Sequence, residues 1–192
     1  MMISHMYLYI REKSNIFRAI FILTLLGYVC TSPGLCLAKE AKEYEAKAAL
    51  IYNLAKFVEW PDDTSNDILT LHVLGANPFG GALNSIKGKS IKGRTIQVKQ
   101  VKSLQDIDEC SMLFISSSEN KNLDSLIKTI KGLRILTIGD TDGFANQGVI
   151  MNIYIEKRKL RFEINIDAAK ESGLKLSSKL LNLARIVTYA PE

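Results

Sequence analysis

The chain has 192 residues, 25 Lys and Arg against 20 Asp and Glu, a formal charge of +5, and 47% apolar residues. That balance excludes a disordered polyelectrolyte and leaves a globular protein with room for a proper core. The basic excess is small and spread along the chain, so no nucleic-acid partner is expected.

Residues 1–38 are expected to be a secretory signal peptide. Arg11, Lys13 and Arg18 give a positive start, and residues 16–30 are largely apolar. Pro33 and Gly34 follow, and Cys36-Leu37-Ala38 places small side chains at −3 and −1 of a cut before Lys39. The apolar stretch is shorter than the roughly 20 residues of a comfortable membrane span; an uncleaved anchor is the alternative. Neither Cys30 nor Cys36 has the context of a lipid-modified cysteine. Residues 39–192 are then a single exported domain of 154 residues and net charge +3. Cys110 is its only cysteine, so packing and not an internal disulfide must hold it together. Cys110 reads plainly as a buried inert thiol, with an intermolecular bridge or a redox-sensing thiol as the alternatives.

Residues 41–60 carry the strongest helical pattern. Tyr44, Ala48, Ile51, Leu54, Ala55 and Val58 recur on one face, while Lys47, Asn53, Lys56 and Glu59 fall mostly on the other. Trp60-Pro61 is the predicted stop. Residues 68–75 form a short, almost continuously apolar strand of the kind buried on both faces in parallel sheets. Asn77 is a candidate N-cap with Pro78 at the first position of a helix reaching about Ile86. Gly88 and Gly93 punctuate a loop, and Lys87, Lys89, Lys92 and Arg94 read as its solvated face. Strands are predicted at 95–101, 112–116 and 134–138, with a helix at 119–131 turning Leu123, Leu126, Ile127 and Ile130 inward.

Residues 149–155 and 160–166 suit an antiparallel hairpin around the charged turn 156–159. A short helical stretch at 167–171 and a final helix from Ser177 or Ser178 to Val187 close the chain. The order predicts an α/β fold: a mostly parallel central sheet flanked by helices (an α/β sandwich), with a C-terminal antiparallel hairpin.

Chemistry-bearing motifs are sparse. His72 is the only histidine after the leader, and a Ser-His-Asp site would have to use it, yet mid-strand it reads as a packed imidazole. One histidine and one distant cysteine do not make a zinc site. The stretch Gly75 to Gly80 follows a strand and could cradle an anion, but it lacks both the P-loop ending and the dinucleotide glycine spacing. Asp140-Thr141-Asp142-Gly143 invites a calcium reading, but Ala145 and Met151 stand where an EF-hand needs glycine and glutamate. It remains a loop at the carboxyl end of a parallel strand, where α/β sheets meet ligands. Phe144 on that loop either packs on the core or marks an interaction surface. No catalytic residue, metal or cofactor is expected.

These segments resemble, in order, the YfiR family of periplasmic proteins. The resemblance rests on residues 47–61, on 73–75 with Asn77-Pro78-Phe79, and on Gly88-Lys89 and Gly93-Arg94. It continues through 110–115, 136–140 with Phe144 and Gly148, 161–165 and 178–184. It implies a periplasmic regulator without catalysis, which binds the periplasmic domain of a membrane-bound diguanylate cyclase and restrains cyclic-di-GMP production. It further implies an outer-membrane-associated sequestering partner, a homodimer, and control of biofilm formation. Related domains serving a sensor kinase are an allied case. Trp60, Asn77, Phe79, Asp140 and Phe144 are the candidate partner or ligand contacts. Cys110 matches one of the family's cysteine positions but has no partner in the exported domain, so redox control through an internal bond does not carry over. A periplasmic small-ligand sensor using the loops at 75–80 and 140–144 is the second reading, and a hydrolase using His72 the third.

Overall fold

The computed structural model describes residues 34–61 and 67–189. The expected leader lies outside the described residues as far as residue 33. From Ala41 onward the chain forms one compact unit.

Helix α1 runs Gly34–Ala55. Ala48, Ile51, Leu54 and Ala55 are buried, as the periodicity predicts. Two expectations fail here. Lys47, placed by spacing on the polar face, is buried, because it finds an acidic partner far along the chain. The helix also stops well before Trp60-Pro61. Residues Val58–Glu59 are a strand, β1, paired antiparallel with β9, Lys175–Leu176. That pairing takes the backbone that further helical turns would have used.

Among the described residues the main sheet has eight strands. These are β2 (Ile68–Leu74), β3 (Ser90–Ile91), β4 (Arg94–Val101), β5 (Met112–Ile115), β6 (Leu136–Gly139), β7 (Met151–Glu156), β8 (Lys159–Asn165) and β10 (Arg185–Val187). Their order across the sheet is β10-β8-β7-β6-β5-β2-β4-β3. β4, β2, β5, β6 and β7 are mutually parallel. β8 returns antiparallel on β7, with Met151 opposite Ile164 and Glu156 opposite Lys159. The expected α/β sandwich with a C-terminal hairpin is thus present.

Alternation along each strand divides the core in two. On the first face Leu71, Val73, Met112, Phe114, Leu136 and Ile138 pack against Ile51 and Leu54 of α1. On the second, Leu74, Leu113 and Ile115 pack against Leu123, Leu126 and Ile130 of α2, Leu123–Ile130. Because both faces are covered, the central strands read as unbroken apolar runs rather than as alternating ones. The turn leading into α2 is a tighter helical segment, Ser117–Asn122, and not the α-helix expected from residue 119.

Two further differences lie at the sheet's edges. The helix predicted to reach Val187 ends at Leu183 (α4, Ser178–Leu183), capped by the Ser177 side chain. Residues 185–187 instead join the sheet as β10, parallel to β8. The short helix α3, Ile166–Glu171, precedes it and is capped by Asn165. At the other edge, the basic loop contains the unforeseen hairpin β3–β4, closed by Lys92 and Gly93 with φ of 50° and 86°. Two positive φ values in a two-residue turn match the twist of a hairpin.

Candidate functional site

The loops that follow β2 and β6 meet at the carboxyl edge of the sheet, joined by one residue of α1. The Tyr44 ring stands edge-on to Phe79 with centroids 5.2 Å apart, and Phe79 stands edge-on to Phe114 at 4.7 Å. The Tyr44 hydroxyl donates to Asp140 at 3.0 Å. Lys47, one turn along the helix, donates to the same Asp140 oxygen at 2.7 Å and pairs with Glu43 at 2.7 Å. The Lys47 and Asp140 side chains are each 6% exposed, so this ion pair is sheltered from water. Burial, reinforced by the Asp140 charge, pushes the Tyr44 hydroxyl up to about 12. For Lys47 burial alone would favour the neutral amine, but the hydrogen bonds to Asp140 and Glu43 outweigh it and raise its pKa.

Four of the five sequence-predicted contact residues therefore cluster at this edge, in roles the sequence did not specify. Asn77 is no α-helical cap: its side chain accepts from the Phe79 amide at 2.9 Å, forming a local turn. Only a short 3₁₀ segment follows, Ala82–Ser85. Phe79 is 4% exposed and belongs to the core. Asp140 is spent on Tyr44 and Lys47. Phe144 is fully buried among the second-face apolar residues, so of its two readings it takes the packing one.

The anion cradle suggested at Gly75 is already filled. The Ala76 amide donates to the Ser118 hydroxyl at 3.0 Å, and a Cβ on Gly75 would collide with that oxygen.

Trp60 is elsewhere, at the amino end of the strands. Its indole N–H donates to the Ser111 carbonyl at 3.0 Å, and Arg94, bonded to the Ile68 carbonyl at 2.7 Å, lies beside its ring. A half-buried ring held in this way serves packing as much as display.

What the carboxyl edge does present is a cleft of about 470 Å³, bordered by Lys47, Asp140, Asp142, Tyr154, Glu156 and Arg185. Its cations are engaged. Arg185 is paired through two nitrogens with Glu163, which also accepts from Asn152 at 3.1 Å. The Arg185 guanidinium lies 4.3 Å from the Tyr154 ring centroid. Ile155, 51% exposed, forms part of the cleft's rim. Arg185 belongs to β10, the outermost strand, whose Ile186 is 47% exposed; Leu183 just before it is 69% exposed. Sequence reasoning missed Leu183, Arg185 and Ile186, because it carried the final helix through Val187 and expected no strand there. Among the described residues β10 ends the sheet on this side, with the uncovered apolar side chains Leu183 and Ile186 beside it.

His72 is fully buried, and neither ring nitrogen has a hydrogen-bond partner among the described residues. Among the described residues no serine or carboxylate is hydrogen-bonded to it, as a triad would require. Among the described residues no three His, Cys, Asp or Glu side chains group to hold a metal ion. Cys110 is half-buried, its thiol donates to the Met112 carbonyl at 3.1 Å, and burial pushes its pKa to about 12. A raised pKa leaves little thiolate at neutral pH.

Residues 44–185 match the YfiR/HmsC-like family. The chain belongs to this family. Its members are regulators and not enzymes. Among solved structures, the ABC domain from Streptococcus pneumonia in complex with L-Trp is similar in fold, with TM-score 0.50 and 10% identity. The match covers 71% of this chain and 59% of that one. A conserved domain protein from Vibrio cholerae gives TM-score 0.48 and 11% identity, over 74% of this chain and 59% of that one. The chain thus spans a little under three-fifths of each of these proteins. No described helix is long and apolar enough to cross a membrane.

Proposed function

We propose that this YfiR/HmsC-like protein is exported to the periplasm, where it binds the periplasmic domain of a membrane-bound diguanylate cyclase and restrains cyclic-di-GMP production. In this reading residues 1–38 are a signal peptide cut near Ala38. The family membership carries the reading. The structure lends support in one way: Leu183 and Ile186, two of its exposed large apolar side chains, lie at the strand that ends one side of the sheet. We place the receptor contact at Leu183, Ile186 and Ile155 with the adjoining cleft, and give Asn77, Phe79, Asp140 and Phe144 the task of holding that edge in shape. Trp60, at the opposite end of the sheet, is a second contact candidate. An outer-membrane-associated protein competing for the same face would release the cyclase and favour biofilm; a homodimer is the proposed resting form.

Such a regulator can shift its receptor only by the difference in its affinity for the receptor's two states. A coupling of about 1–3 kcal/mol changes output severalfold to a hundredfold. The test is binding of the purified chain to the purified periplasmic domain of the cyclase from the same organism. Saturable binding that Ile186→Asp weakens at least about tenfold, as burying an unpaired charge requires, supports the reading. No binding by the wild type contradicts it.

The cleft favours a second reading, a small-ligand sensor. A ligand there would be met by Asp142, Glu156 and the Tyr154 ring. Thermal stabilisation of the chain by a periplasmic metabolite, abolished by Tyr154→Ala, would select it.

A further inference from the structure

Basic residues that read along the sequence as a thin, scattered excess are gathered by the fold at one edge of the sheet. Residues 68–105 hold Lys87, Lys89, Lys92, Arg94, Lys99 and Lys102 and no Asp or Glu. The whole chain carries only +5, so the rest of it is net acidic. The acid-free stretch comprises β2, β3, β4 and their connections, and β4–β3 ends the sheet on the side away from β10.

Register spreads the charges along that edge. Lys92 stands in the β3–β4 turn. The Ile96 amide donates to the Lys89 carbonyl at 2.9 Å, which lays Lys89 beside β4. Lys99 lies within β4, and Lys102 follows its last residue. All four lysines are exposed, as is Lys87. Lys92 pairs loosely with Glu59, at 3.7 Å, and Arg94 is bonded to the Ile68 carbonyl. Lys87, Lys89, Lys99 and Lys102 have no carboxylate partner among the described residues.

Helix α1 adds to the same surface. The Tyr52 hydroxyl donates to the carbonyl of Ser90 in β3 at 3.2 Å. The Tyr52 ring carries the Lys56 ammonium 4.0 Å from its centroid and the Lys89 ammonium at 5.2 Å. Two like charges thus share one ring, and Lys56 is otherwise bonded only to the neutral Asn53. Phe57, next in the chain, is 36% exposed. Lysine on an edge strand keeps it from pairing with other chains. That need is local, and it calls neither for 38 residues without an acid nor for Lys56 to be drawn alongside. Like charges crowded without counter-charge repel one another, and an opposing anionic layer relieves that repulsion.

We propose that the β3–β4 edge is a docking face for an anionic phospholipid bilayer. Its unpaired charges are ammonium groups on flexible stems, which follow mobile headgroups; a fixed carboxylate or phosphate on a protein partner is better matched by the arginine fork. Tyr52 and Phe57 set aromatic rings among those charges, as at a headgroup layer. Bilayer contact at this edge leaves β10, at the other end of the sheet, free for a protein. The proposal does not rest on the receptor reading, because a lipid vesicle holds no receptor.

The test is co-sedimentation of the full chain, as its own cell processes it, with vesicles. One set is phosphatidylcholine containing about 30% phosphatidylglycerol, the other phosphatidylcholine alone. The chain should bind the anionic vesicles and not the neutral ones, and about 0.5 M salt should release it, since screening then acts within a few Å. Lys87→Gln/Lys89→Gln/Lys99→Gln/Lys102→Gln should weaken binding at least about tenfold. Lys121→Gln/Lys128→Gln/Lys157→Gln/Lys159→Gln, which removes as much charge elsewhere, should bind like the wild type. Failure to bind anionic vesicles overturns the proposal, as does equal binding to neutral ones. Equal weakening by the two quadruple variants also overturns it, because net charge and not this edge would then be at work.

Discussion

Lys47 and Asp140 show how a single ion pair fixes the geometry of the carboxyl edge. Both side chains are nearly water-free, and Asp140 also accepts from Tyr44. Removing one partner leaves the other buried and uncompensated, which typically costs about 3–5 kcal/mol. Asp140→Ala should sit at the low end, because Glu43 still pairs with Lys47; a urea-denaturation midpoint in the variant will measure this. The pair also dictates a pH response. Lys47 is held above 10.5 and Tyr44 is pushed up to about 12, so both keep their protons more firmly folded than unfolded. Their contribution is complete below about pH 10 and drains away as the pH climbs through the folded values. Lys47→Met should show a smaller alkaline loss than the wild type. At Gly139 a Cβ would come within 2.8 Å of the Phe144 ring and 3.1 Å of Asn152; Gly139→Ala should therefore destabilise by about 1–3 kcal/mol through overpacking, visible as a lowered Tm. None of this could be read from the chain. The partners Lys47 and Asp140 lie 93 residues apart, and local spacing places a lysine by its neighbours on the helix, not by an acid on a distant loop.

Among the elements, the long ones were legible and the short ones were not. β2, β5 and β6 announce themselves because residues buried on both faces leave apolar runs, and the β7–β8 hairpin because two strand-like runs flank a charged turn. β1, β3, β9 and β10 have two or three residues each. No periodicity exists at that length, and the pairing partner alone decides the state. For the same reason the first and last helices were drawn too long: backbone read as helical was claimed by strands. The β7–β8 turn offers a test at this scale. Lys157 and Arg158 both adopt positive φ, 49° and 63°, which costs a residue with a side chain about 1 kcal/mol relative to glycine. Arg158→Gly should raise the melting temperature by a few degrees without altering the fold, as differential scanning calorimetry would record.

The described domain is a mostly parallel sheet, covered on both faces, that ends on one side in the exposed strand β10. Lys47 and Asp140 brace the loop after β6, and Leu183 and Ile186 are uncovered apolar side chains at the outer strand. The fold class was legible because alternation of helix and strand with apolar runs has few solutions. The proposed contact face was not, because exposure depends on which edge the chain leaves open. The proposed role of that face is to restrain a cyclase at the membrane. The most direct measurement is the cellular cyclic-di-GMP level in a strain lacking this chain, complemented with the wild type or with Leu183→Asp/Ile186→Asp. The level should rise on deletion, return with the wild type, and stay raised with the double variant although it is folded and exported. An unchanged level on deletion would contradict that role.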